Sequence, residues 1–464
     1  MKLARPDGMV GLLTPSGIAS DKTAAPFFRG VATRGRLKAL YDFENKKIFF
    51  PDVHASFKFL IFVASPLRKF DAARCAFYLR SLDDLENPER CFPLTAEDFA
   101  RVNPNTGTAP IFRTRRDAEL TAAIYRRLPI LVDRSGEVPI KAWPVQYATM
   151  FHMTNDSHLF HTRQMLEEEI GAYPIGGNRW RSAEGEWVPL YVGRMVHQFD
   201  HRAASVVTND ENLHNAALSG EIPDKQKADP QFLPTPQYWV LGDKVKLPAT
   251  LRWVMSFRDI ARATDARTII AAAVPFAGFG NKLPILLPNH DIKCDVEYLF
   301  LLGNLNAIVF DFVSRSKVHS TSVNWYIVEQ LPVVAADTYH SIRFGSKNVA
   351  EIVRETVLEL TYTAHDMAPL AEDLGYLAAD GTVKPPFIWD KRRRLMLRAK
   401  LDAVYFMLYG VADRNDVRYI YSTFPIVERD ELRDYGSYAS CELCLAWMNA
   451  LKAGDPDAKI ELPI

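Results

Sequence analysis

The chain has 464 residues, of which 48% are hydrophobic and 24% are charged. This composition excludes an intrinsically disordered chain, and the length predicts two or three domains that each enclose a core. Lys and Arg number 56, as do Asp and Glu, so the formal net charge is zero. This balance excludes a nucleic-acid-binding protein that is basic over its whole surface. It does not exclude local basic surfaces.

Two segments are locally basic. The first 40 residues contain seven Lys or Arg against two Asp or Glu, and residues 381–400 contain seven against one. The five cysteines are sparse and odd in number, and no signal-peptide core is recognisable, so we expect a cytoplasmic protein without disulfides. No apolar run reaches the ~20 residues of a membrane-spanning helix, so we expect no membrane association.

The first 66 residues alternate strand and helix signals. Apolar runs at 9–13, 37–43 and 57–64 predict three strands, and the apolar spacing within 22–33 predicts a helix. This order is typical of the end of an α/β sheet, because no first strand with a cofactor-binding loop comes before it. We therefore expect an unpaired sheet edge with exposed apolar residues.

Beyond residue 66 the pattern changes twice. Residues 67–335 mix short aromatic strands with isolated helices, and the Pro-rich stretch 220–237 predicts an exposed loop. From residue 336 the periodicity is helical. Helices are predicted at 117–128, 251–263, 350–374, 391–409 and 430–452. The sequence thus predicts an α/β fold in three parts, 1–66, 67–335 and 336–464.

Two short motifs have the composition of ligand-binding loops. Phe276-Ala277-Gly278-Phe279-Gly280 matches the F-x-G-x-G loop that holds S-adenosylmethionine, but the flanking strand and acidic residue that such a loop needs are missing. The segment 229–232, Asp-Pro-Gln-Phe, is similar to the D/N-P-P-Y/F tetrapeptide that grips a flipped amino group, but it lacks the second proline. Because short glycine motifs often match by chance, we favour a structural role for 276–280.

Two histidine clusters have spacings that a divalent ion could use. His197, Asp200 and His201 would share one face of a helix, and a second cluster lies at 152–161. The second cluster contains His152, Asp156, His158 and His161. Neither cluster forms H-E-x-x-H, so we favour ordinary polar surfaces over a metal site.

Basic side chains recur among Ser, Thr and Asn in the middle of the chain. Such residues on loops contact the phosphates and base edges of DNA. A solvated surface is the commoner role for any one of them, so the argument for DNA depends on their number. The candidate DNA-binding residues are Arg113, Arg115, Arg116, Arg202, Arg258, Arg262, Lys282, Arg315, Lys317 and Asn324.

Several blocks occur in an order that resembles a known family. Residues 6–15, 41–45, 50–53 and 56–59 resemble strands of a catalytic sheet, 257–264, 305–312 and 329–332 resemble a target-recognition domain, and 401–403, 408–410 and 419–425 resemble a closing helical segment. The family comprises restriction-modification adenine methylases that join catalysis and target recognition in one chain, the type IIG enzymes and the related large methylases of phage-defence systems.

The resemblance implies a fold and a cofactor arrangement. It implies the C-terminal strands of a Rossmann-like methyltransferase sheet in 1–66, a mixed α+β target-recognition domain in 67–335 and a helical C-terminal region in 336–464. In this family the F-x-G-x-G loop and the N-P-P-Y tetrapeptide precede the strand that here begins at Met9, and neither occurs there. S-adenosylmethionine would therefore bind only through a catalytic half that a partner supplies or that has been lost.

The resemblance also implies partners and one catalytic residue. Double-stranded DNA would be bound, together with a methyltransferase catalytic subunit or another defence-system protein. Phe50 matches the position where related methylases stack a ring on the flipped adenine, with Phe49 as the alternative that turns inward. Our first hypothesis is the DNA-recognition half of an adenine-N6 DNA methyltransferase, inactive alone. The alternatives are a non-enzymatic DNA-binding or adaptor subunit of a defence complex and, third, a metal-dependent hydrolase.

Overall fold

The computed structural model describes residues 4–206, 219–248, 250–288, 297–318 and 321–462. The chain forms two compact units. Unit 1 comprises Met1–Ala142, Val313–His319 and Tyr326–Val333, and unit 2 comprises the remaining residues. Within the described ranges, no helix combines the length and apolar character that crossing a membrane requires.

Unit 1 contains short helices and one main sheet. Its strands are β1 (Val10–Pro15), β2 (Leu37–Glu44), β3 (Lys58–Ala64), β4 (Ala72–Leu79), β5 (Cys91–Thr95), β6 (Val132–Asp133) and β7 (Ile140–Lys141). Its helices are α1 (Gly17–Ser20), α2 (Ala25–Ala32), α3 (Ala96–Val102) and α4 (Arg115–Arg127). Thr95 and Thr114 start α3 and α4 with capping boxes, which satisfy backbone N–H groups that the first helical turn leaves free.

A five-stranded sheet organises unit 1 in the order β1-β3-β2-β4-β5. The strand β3 runs antiparallel to both β1 and β2, and β4 runs parallel to β2, so β1, β2 and β4 all end at one edge. We call this the carboxyl edge. Phe28 of α2 is buried against Phe62 of β3 and Phe99 of α3, which covers one face of the sheet.

The first 66 residues largely follow the sequence expectation. The three strands and the helix form close to their predicted positions. Among the described strands, β1 lies at the end of the sheet and has no partner on its outer side, and Leu12 and Leu13 are exposed, as expected for an open edge. The sheet extends past residue 66 because β4 pairs with β2 and β5 pairs with β4, so the expected boundary at 66 does not mark its end.

Unit 1 also takes in residues from far along the chain. The amide of Leu131 donates to the carbonyl of Leu331 at 2.9 Å, and the amide of Ile111 donates to the carbonyl of Ser316 at 2.8 Å. The segments 313–319 and 326–333 are therefore built into the same unit as the first 142 residues.

Unit 2 contains two four-stranded sheet paths and most of the C-terminal helices. Its strands are β8 (Val145–Ala148), β9 (Tyr173–Gly176), β10 (Arg179–Ser182), β11 (Gly185–Tyr191), β12 (Ala204–Val206), β13 (Ser219–Glu221), β14 (Trp239–Leu241), β15 (Trp253–Phe257), β16 (Ala271–Pro275), β17 (Gly278–Phe279), β18 (Ile285–Pro288), β19 (Arg343–Phe344) and β20 (Lys347–Asn348). The sheet orders are β14-β11-β10-β9, with β17 beside β11, and β16-β15-β18-β8. A shared core that includes Tyr191, Val254 and Phe279 packs between strands of the two sheets.

The later helices follow in chain order. They are α5 (Asp224–Lys227), α6 (Tyr298–Asn306), α7 (Ile308–Arg315), α8 (Trp325–Val328), α9 (Thr338–Ser341), α10 (Val349–Thr361), α11 (Ala368–Asp373), α12 (Lys391–Leu408), α13 (Arg414–Ser422), α14 (Pro425–Tyr435) and α15 (Ala439–Lys452). Both α7 and α8 contain residues of both units. Every residue of α6 is buried, so its apolar run serves a protein core.

Four sequence expectations in this part need correction. The helix predicted at 350–374 is two helices, α10 and α11, with residues 362–367 between them. The helix predicted at 251–263 is wrong, because Trp253–Phe257 forms the buried strand β15, which pairs with β16 and β18. A short apolar run flanked by strands cannot be distinguished from a helix by periodicity. The helix predicted at 430–452 is two helices, divided where Gly436 adopts a φ of +74°. The loop predicted at 220–237 contains the end of β13 and the short helix α5.

The F-x-G-x-G segment lies in the core of unit 2. Gly278 is in β17, beside β11, and a Cβ atom there would lie 2.7 Å from Val240 Cγ2 and 3.2 Å from Leu190 Cδ1. Real Cβ atoms do not approach other atoms so closely, so the glycine allows two strands to pack. This packing supports a structural role for the motif.

We expect Gly278→Ala to destabilise unit 2 by about 1–3 kcal/mol, because the added methyl group overpacks a tight contact between strands. Gly30→Ala in α2 is the control, since nothing lies within 4 Å of its new Cβ and alanine favours helix. Thermal and urea unfolding would measure both. Equal stability of the two variants would contradict the packing role of Gly278.

Candidate functional site

The carboxyl edge of the unit 1 sheet gathers polar side chains. Ser16 follows β1, Asp42 lies near the end of β2, and Lys58 begins β3. Ser16 Oγ donates a hydrogen bond to Asp42 Oδ1. Ligands of open α/β sheets bind at the edge where parallel strands end, so this edge is the first place to look for a site.

Asp42 is the most unusual group at this edge. Its side chain is 2% exposed, and burial raises the pKa of its carboxyl group, although Ser16 and Lys58 oppose that shift. Among the described residues, no donor meets the hydrogen-bond geometry at Oδ2. The backbone N–H of Tyr78 is nevertheless close enough to this carboxyl group to oppose the rise of its pKa.

Two cations flank the ring of Tyr78 beside this carboxylate. Lys58 Nζ lies 4.1 Å and the Arg113 guanidinium 4.5 Å from the ring centre. Tyr78 adopts a φ of +54° at the irregular point of the β2–β4 pairing, and burial raises the pKa of its hydroxyl to about 12. Burial also lowers the pKa of Lys58. The candidate DNA-binding residue Arg113 is thus next to the carboxyl edge.

A buried amide fixes the loop between β2 and β3. Asn45 Nδ2 donates to the carbonyl of Phe50 at 2.9 Å and to that of Val53 at 3.0 Å. Asn45 Oδ1 accepts from the Phe50 amide at 2.9 Å. These three hydrogen bonds hold the Phe-Pro-Asp-Val turn in one conformation at the carboxyl edge.

The same loop separates the two neighbouring phenylalanines. Phe49 turns inward, with its ring centre 5.2 Å from that of Phe43 and 5.4 Å from that of Phe59. Phe50 remains 39% exposed and meets Phe59 edge to face at 5.0 Å. Phe50 therefore presents the accessible ring, and Phe49 belongs to the core.

Arg202, predicted to bind DNA, is in the interior. It is 0% exposed, and its guanidinium donates to the carbonyl groups of Lys227, Asp229, Phe232 and Thr363 at 2.9–3.0 Å. These bonds hold the Asp-Pro-Gln-Phe segment in place. The assignment of Arg202 to DNA is therefore corrected, because its donors face backbone oxygens inside unit 2.

Lys317 is also in the interior, within unit 1. It is 3% exposed, and its Nζ donates to Asn103 Oδ1 at 2.8 Å, to the Gln330 carbonyl at 3.1 Å and to the Val102 carbonyl. Burial lowers the pKa of its amine well below the usual range. Its assignment to DNA is corrected for the same reason as that of Arg202.

The other candidate DNA-binding residues are accessible to different degrees. Arg113, Arg115, Arg262 and Lys282 are exposed, and Arg116, Arg258, Arg315 and Asn324 are partly buried. Lys282 pairs with Asp259 at 2.6 Å, and Arg258 Nε donates to the Val196 carbonyl at 2.6 Å. Arg258 and Lys282 line one cavity of about 420 Å³ in unit 2. The structure therefore brings these two together.

The first histidine cluster was predicted to lie on one face of a helix, but the structure places it in a turn. His197 and Asp200 exchange backbone hydrogen bonds across a tight turn, at 2.7 and 3.0 Å. Asp200 pairs with Lys227 at 2.6 Å, and His201 lies 3.0 Å from Asp366. Across the described ranges, no three His, Cys, Asp or Glu side chains have an arrangement that could hold a metal ion.

Sequence reasoning missed four residues of the carboxyl edge: Asp42, Asn45, Lys58 and Tyr78. One signal was available, because Asp42 stands between Tyr41 and Phe43 in the run 39–43, which is otherwise apolar. A carboxylate at a buried position usually has a partner or a function. The roles of Asn45 and Tyr78 depend on a loop and an irregular pairing that no local pattern indicates.

No protein-family model and no curated protein matches the chain. In a comparison with solved structures, the chain is similar to the Type IIL restriction-modification enzyme MmeI in complex with DNA, with a TM-score of 0.38 and 11% identity over 90% of this chain and 49% of that one. It is also similar to the type IIG restriction endonuclease BpuSI, with a TM-score of 0.27 and 11% identity over 79% and 46%. The chain spans about half the length of each. Likenesses of this size leave the function to be argued from the residues themselves.

We expect unit 2 to lose stability in acid through His197. Burial, with help from Arg258 and Arg398, lowers the pKa of this imidazole from 6.5 to about 3. Between these two values the unfolded chain binds a proton that the folded chain does not. Stability therefore falls as pH drops from 6.5 towards 3, by at most ~1.4 kcal/mol per pH unit.

His197→Gln should flatten this dependence in thermal unfolding measured from pH 7.5 to 4.5, whereas the exposed His158→Gln should leave it unchanged. An unchanged slope in His197→Gln would contradict the assignment.

Proposed function

We propose that this chain is the DNA-recognition part of an adenine-N6 DNA methyltransferase of a restriction-modification or phage-defence system. Polypeptide outside these 464 residues would supply the S-adenosylmethionine-binding part. One observation carries the proposal: the exposed ring of Phe50, which the buried amide of Asn45 holds at the carboxyl edge of the sheet.

Methylation of the adenine amino group requires the base to leave the DNA stack and to rest against apolar or aromatic surfaces. Stacking on an aromatic side chain contributes about 1–3 kcal/mol per base. The hydrogen bonds of Asn45 fix the backbone of Phe50, and Phe59 supports one edge of the ring. The ring is thus positioned before any base arrives, which lowers the entropic cost of stacking.

The open edge of β1 supports a catalytic part on that side. A further parallel strand beside β1 would end at the same carboxyl edge, next to Ser16 and Asp42. Leu12 and Leu13 on β1 are exposed, and such a segment would cover them. In this arrangement the S-adenosylmethionine loop and Phe50 would lie at the same carboxyl edge of the sheet, with β1 between their strands.

The charge distribution supports DNA binding without requiring a basic protein. Arg113 lies beside the carboxyl edge, and Arg115 and Arg262 are exposed. Exposed arginines neutralise backbone phosphates and displace condensed counterions. We therefore propose that these arginines position the protein on the DNA duplex.

We expect the full chain to bind duplex DNA with an affinity that falls steeply with salt. Arg262→Ala and Arg115→Ala should each weaken binding and reduce the log–log salt slope by roughly 1, because each removes about one phosphate contact. Arg429→Ala, on the exposed face of α14, serves as the control. Fluorescence anisotropy between 50 and about 200 mM salt measures these effects. If no duplex binds at low salt, the DNA-recognition assignment fails and the adaptor alternative gains.

We expect Phe50→Ala to reduce methylation by roughly one to two decades, because that is the rate equivalent of a lost stacking contact. The assay adds a polypeptide that carries the F-x-G-x-G and N-P-P-Y motifs, for which the neighbouring reading frames are searched first, and follows labelled methyl transfer to DNA. Phe50→Trp should retain much of the rate.

Phe49→Ala is the matched control, since its inward ring packs on Phe43 and Phe59 and its loss should lower thermal stability. If Phe50→Ala unfolds the protein, or leaves methylation unchanged, Phe50 does not stack on the base.

A further inference from the structure

A second and larger cleft of unit 2 is lined mainly by cations. Its volume is about 830 Å³, and α12 forms one wall. The cationic side chains are Arg194, Lys227, Arg258, Lys391, Arg394 and Arg398, and the carboxylates are Asp200, Glu221 and Asp224. Among the described lining residues, cations therefore exceed carboxylates by three. His197 adds no charge at neutral pH, because burial holds its pKa at about 3.

Two of the three carboxylates are already engaged. Asp200 pairs with Lys227 at 2.6 Å, and both side chains are buried. Asp224 accepts a hydrogen bond from Trp389 Nε1 at 2.7 Å. Glu221 is exposed. Lys391 is also engaged, because its Nζ pairs with Asp434 at 2.8 Å. When the Lys227–Asp200 and Lys391–Asp434 pairs are set aside, four arginines remain against Asp224 and Glu221, so the cleft keeps a smaller excess of positive charge.

Arg394 accounts for part of this excess. It is buried, and it donates to the carbonyl groups of Leu360 and Phe199. Its guanidinium also lies 3.8 Å from the centre of the Trp389 ring. Burial lowers the pKa of Arg394 to about 9, and the charges of Arg398 and Arg202 contribute to the shift. Arg394 is thus held by the fold and creates a positive field in the cleft.

Arg398 is the group that the fold does not satisfy. It lies one turn beyond Arg394 on α12, and its Nε is buried without a hydrogen-bond partner among the described residues. It lines both this cleft and an adjoining cavity of about 210 Å³. Burial lowers its pKa, and the attraction of Glu431 and Asp402 offsets this only in part. A buried donor without a partner costs stability unless a ligand supplies the acceptor.

We propose that this cleft is a recessed binding site for a phosphate-class oxyanion, with the Arg398 guanidinium as its main donor and Arg258 as a second lining cation. A guanidinium presents N–H groups in a planar fork that matches two phosphate oxygens. Arg258 uses its Nε on the Val196 carbonyl and lines the same cleft. The volume accommodates more than one phosphate group, as in a diphosphate or a length of nucleic-acid backbone.

Two sources share this chemistry, a DNA backbone phosphate and a small phosphorylated molecule. The proposed anion site can be correct even if the proposed function is wrong, because a phosphate from either source can accept hydrogen bonds from the Arg398 guanidinium. An anion that binds only the folded state also stabilises it by mass action. Binding is therefore visible as a rise in melting temperature.

The first experiment titrates the full chain with inorganic pyrophosphate and follows the melting temperature and the heat of binding, against sodium chloride at equal ionic strength. We expect wild type to be stabilised by pyrophosphate beyond the chloride control. Arg398→Gln should lose at least about tenfold in affinity, since a charge-assisted hydrogen bond contributes about 1.5–3 kcal/mol. Its melting temperature without anion should not fall, because the removed cation is desolvated and lacks a partner at Nε.

The matched control is Arg393→Gln, the adjacent α12 residue, which is exposed and pairs with Glu359 at 2.7 Å. It should bind pyrophosphate like wild type. If Arg398→Gln proves unstable, Arg398→Lys and Arg258→Gln replace it. Arg398→Lys keeps the positive charge but loses the planar pair of guanidinium N–H donors, and Arg258→Gln removes one positive charge. Both variants should therefore fold and bind pyrophosphate more weakly than wild type.

The second experiment adds duplex DNA as a competitor. If DNA displaces pyrophosphate and Arg398→Gln weakens duplex binding, the source is the DNA backbone. If only pyrophosphate binding depends on Arg398, the source is a small phosphorylated molecule, and this holds even if duplex DNA does not bind and the proposed function fails. If neither pyrophosphate nor duplex binding changes in the Arg398 and Arg258 variants, the proposed site is wrong.

Discussion

Buried polar side chains must find their hydrogen-bond partners inside the protein, and this requirement fixes much of the geometry in both units. In unit 2, Arg202 gathers four carbonyl groups from the segments 227–232 and 363. In unit 1, Lys317 joins Val102 and Asn103 to Gln330. Each cation organises irregular backbone that has no regular ladder of its own. Removing either side chain would leave several buried carbonyl groups without donors.

The same requirement separates positions that maintain the fold from positions available for ligands. The side chain of Asn45 makes three hydrogen bonds to one loop, and that loop presents Phe50. Asp42 and Arg398 each keep one buried polar atom without a partner among the described residues. Arg202 also keeps its Nε without a partner among the described residues, so the surrounding charges and the cleft are needed to distinguish Arg398 as a ligand-binding candidate.

Sequence reasoning could predict the regular elements better than the sites. The strands β1 to β3 and the helix α12 form near their predicted positions, because apolar periodicity is a local property. The helix predicted at 251–263 is wrong because the apolar run Trp253–Phe257 is a strand buried on both faces of a sheet. Its burial depends on neighbours that are distant in sequence. Arg202 and Lys317 were also assigned wrongly, to the surface, because their buried carbonyl partners are distant in sequence. Phe49 and Phe50 were distinguished only by the turn that Asn45 fixes.

The discontinuous course of unit 1 has a consequence for how the protein is made. The unit needs segments 313–319 and 326–333, so its core is incomplete until some 190 residues after Ala142 have been synthesised. At about 5–20 residues per second, a ribosome needs roughly 10–40 s for that stretch. During this interval Leu131 and Asn103 have no partners at Leu331 and Lys317. The nascent N-terminal region must therefore remain unaggregated while the intervening chain emerges, so the order of synthesis places a demand on solubility that the finished fold does not show.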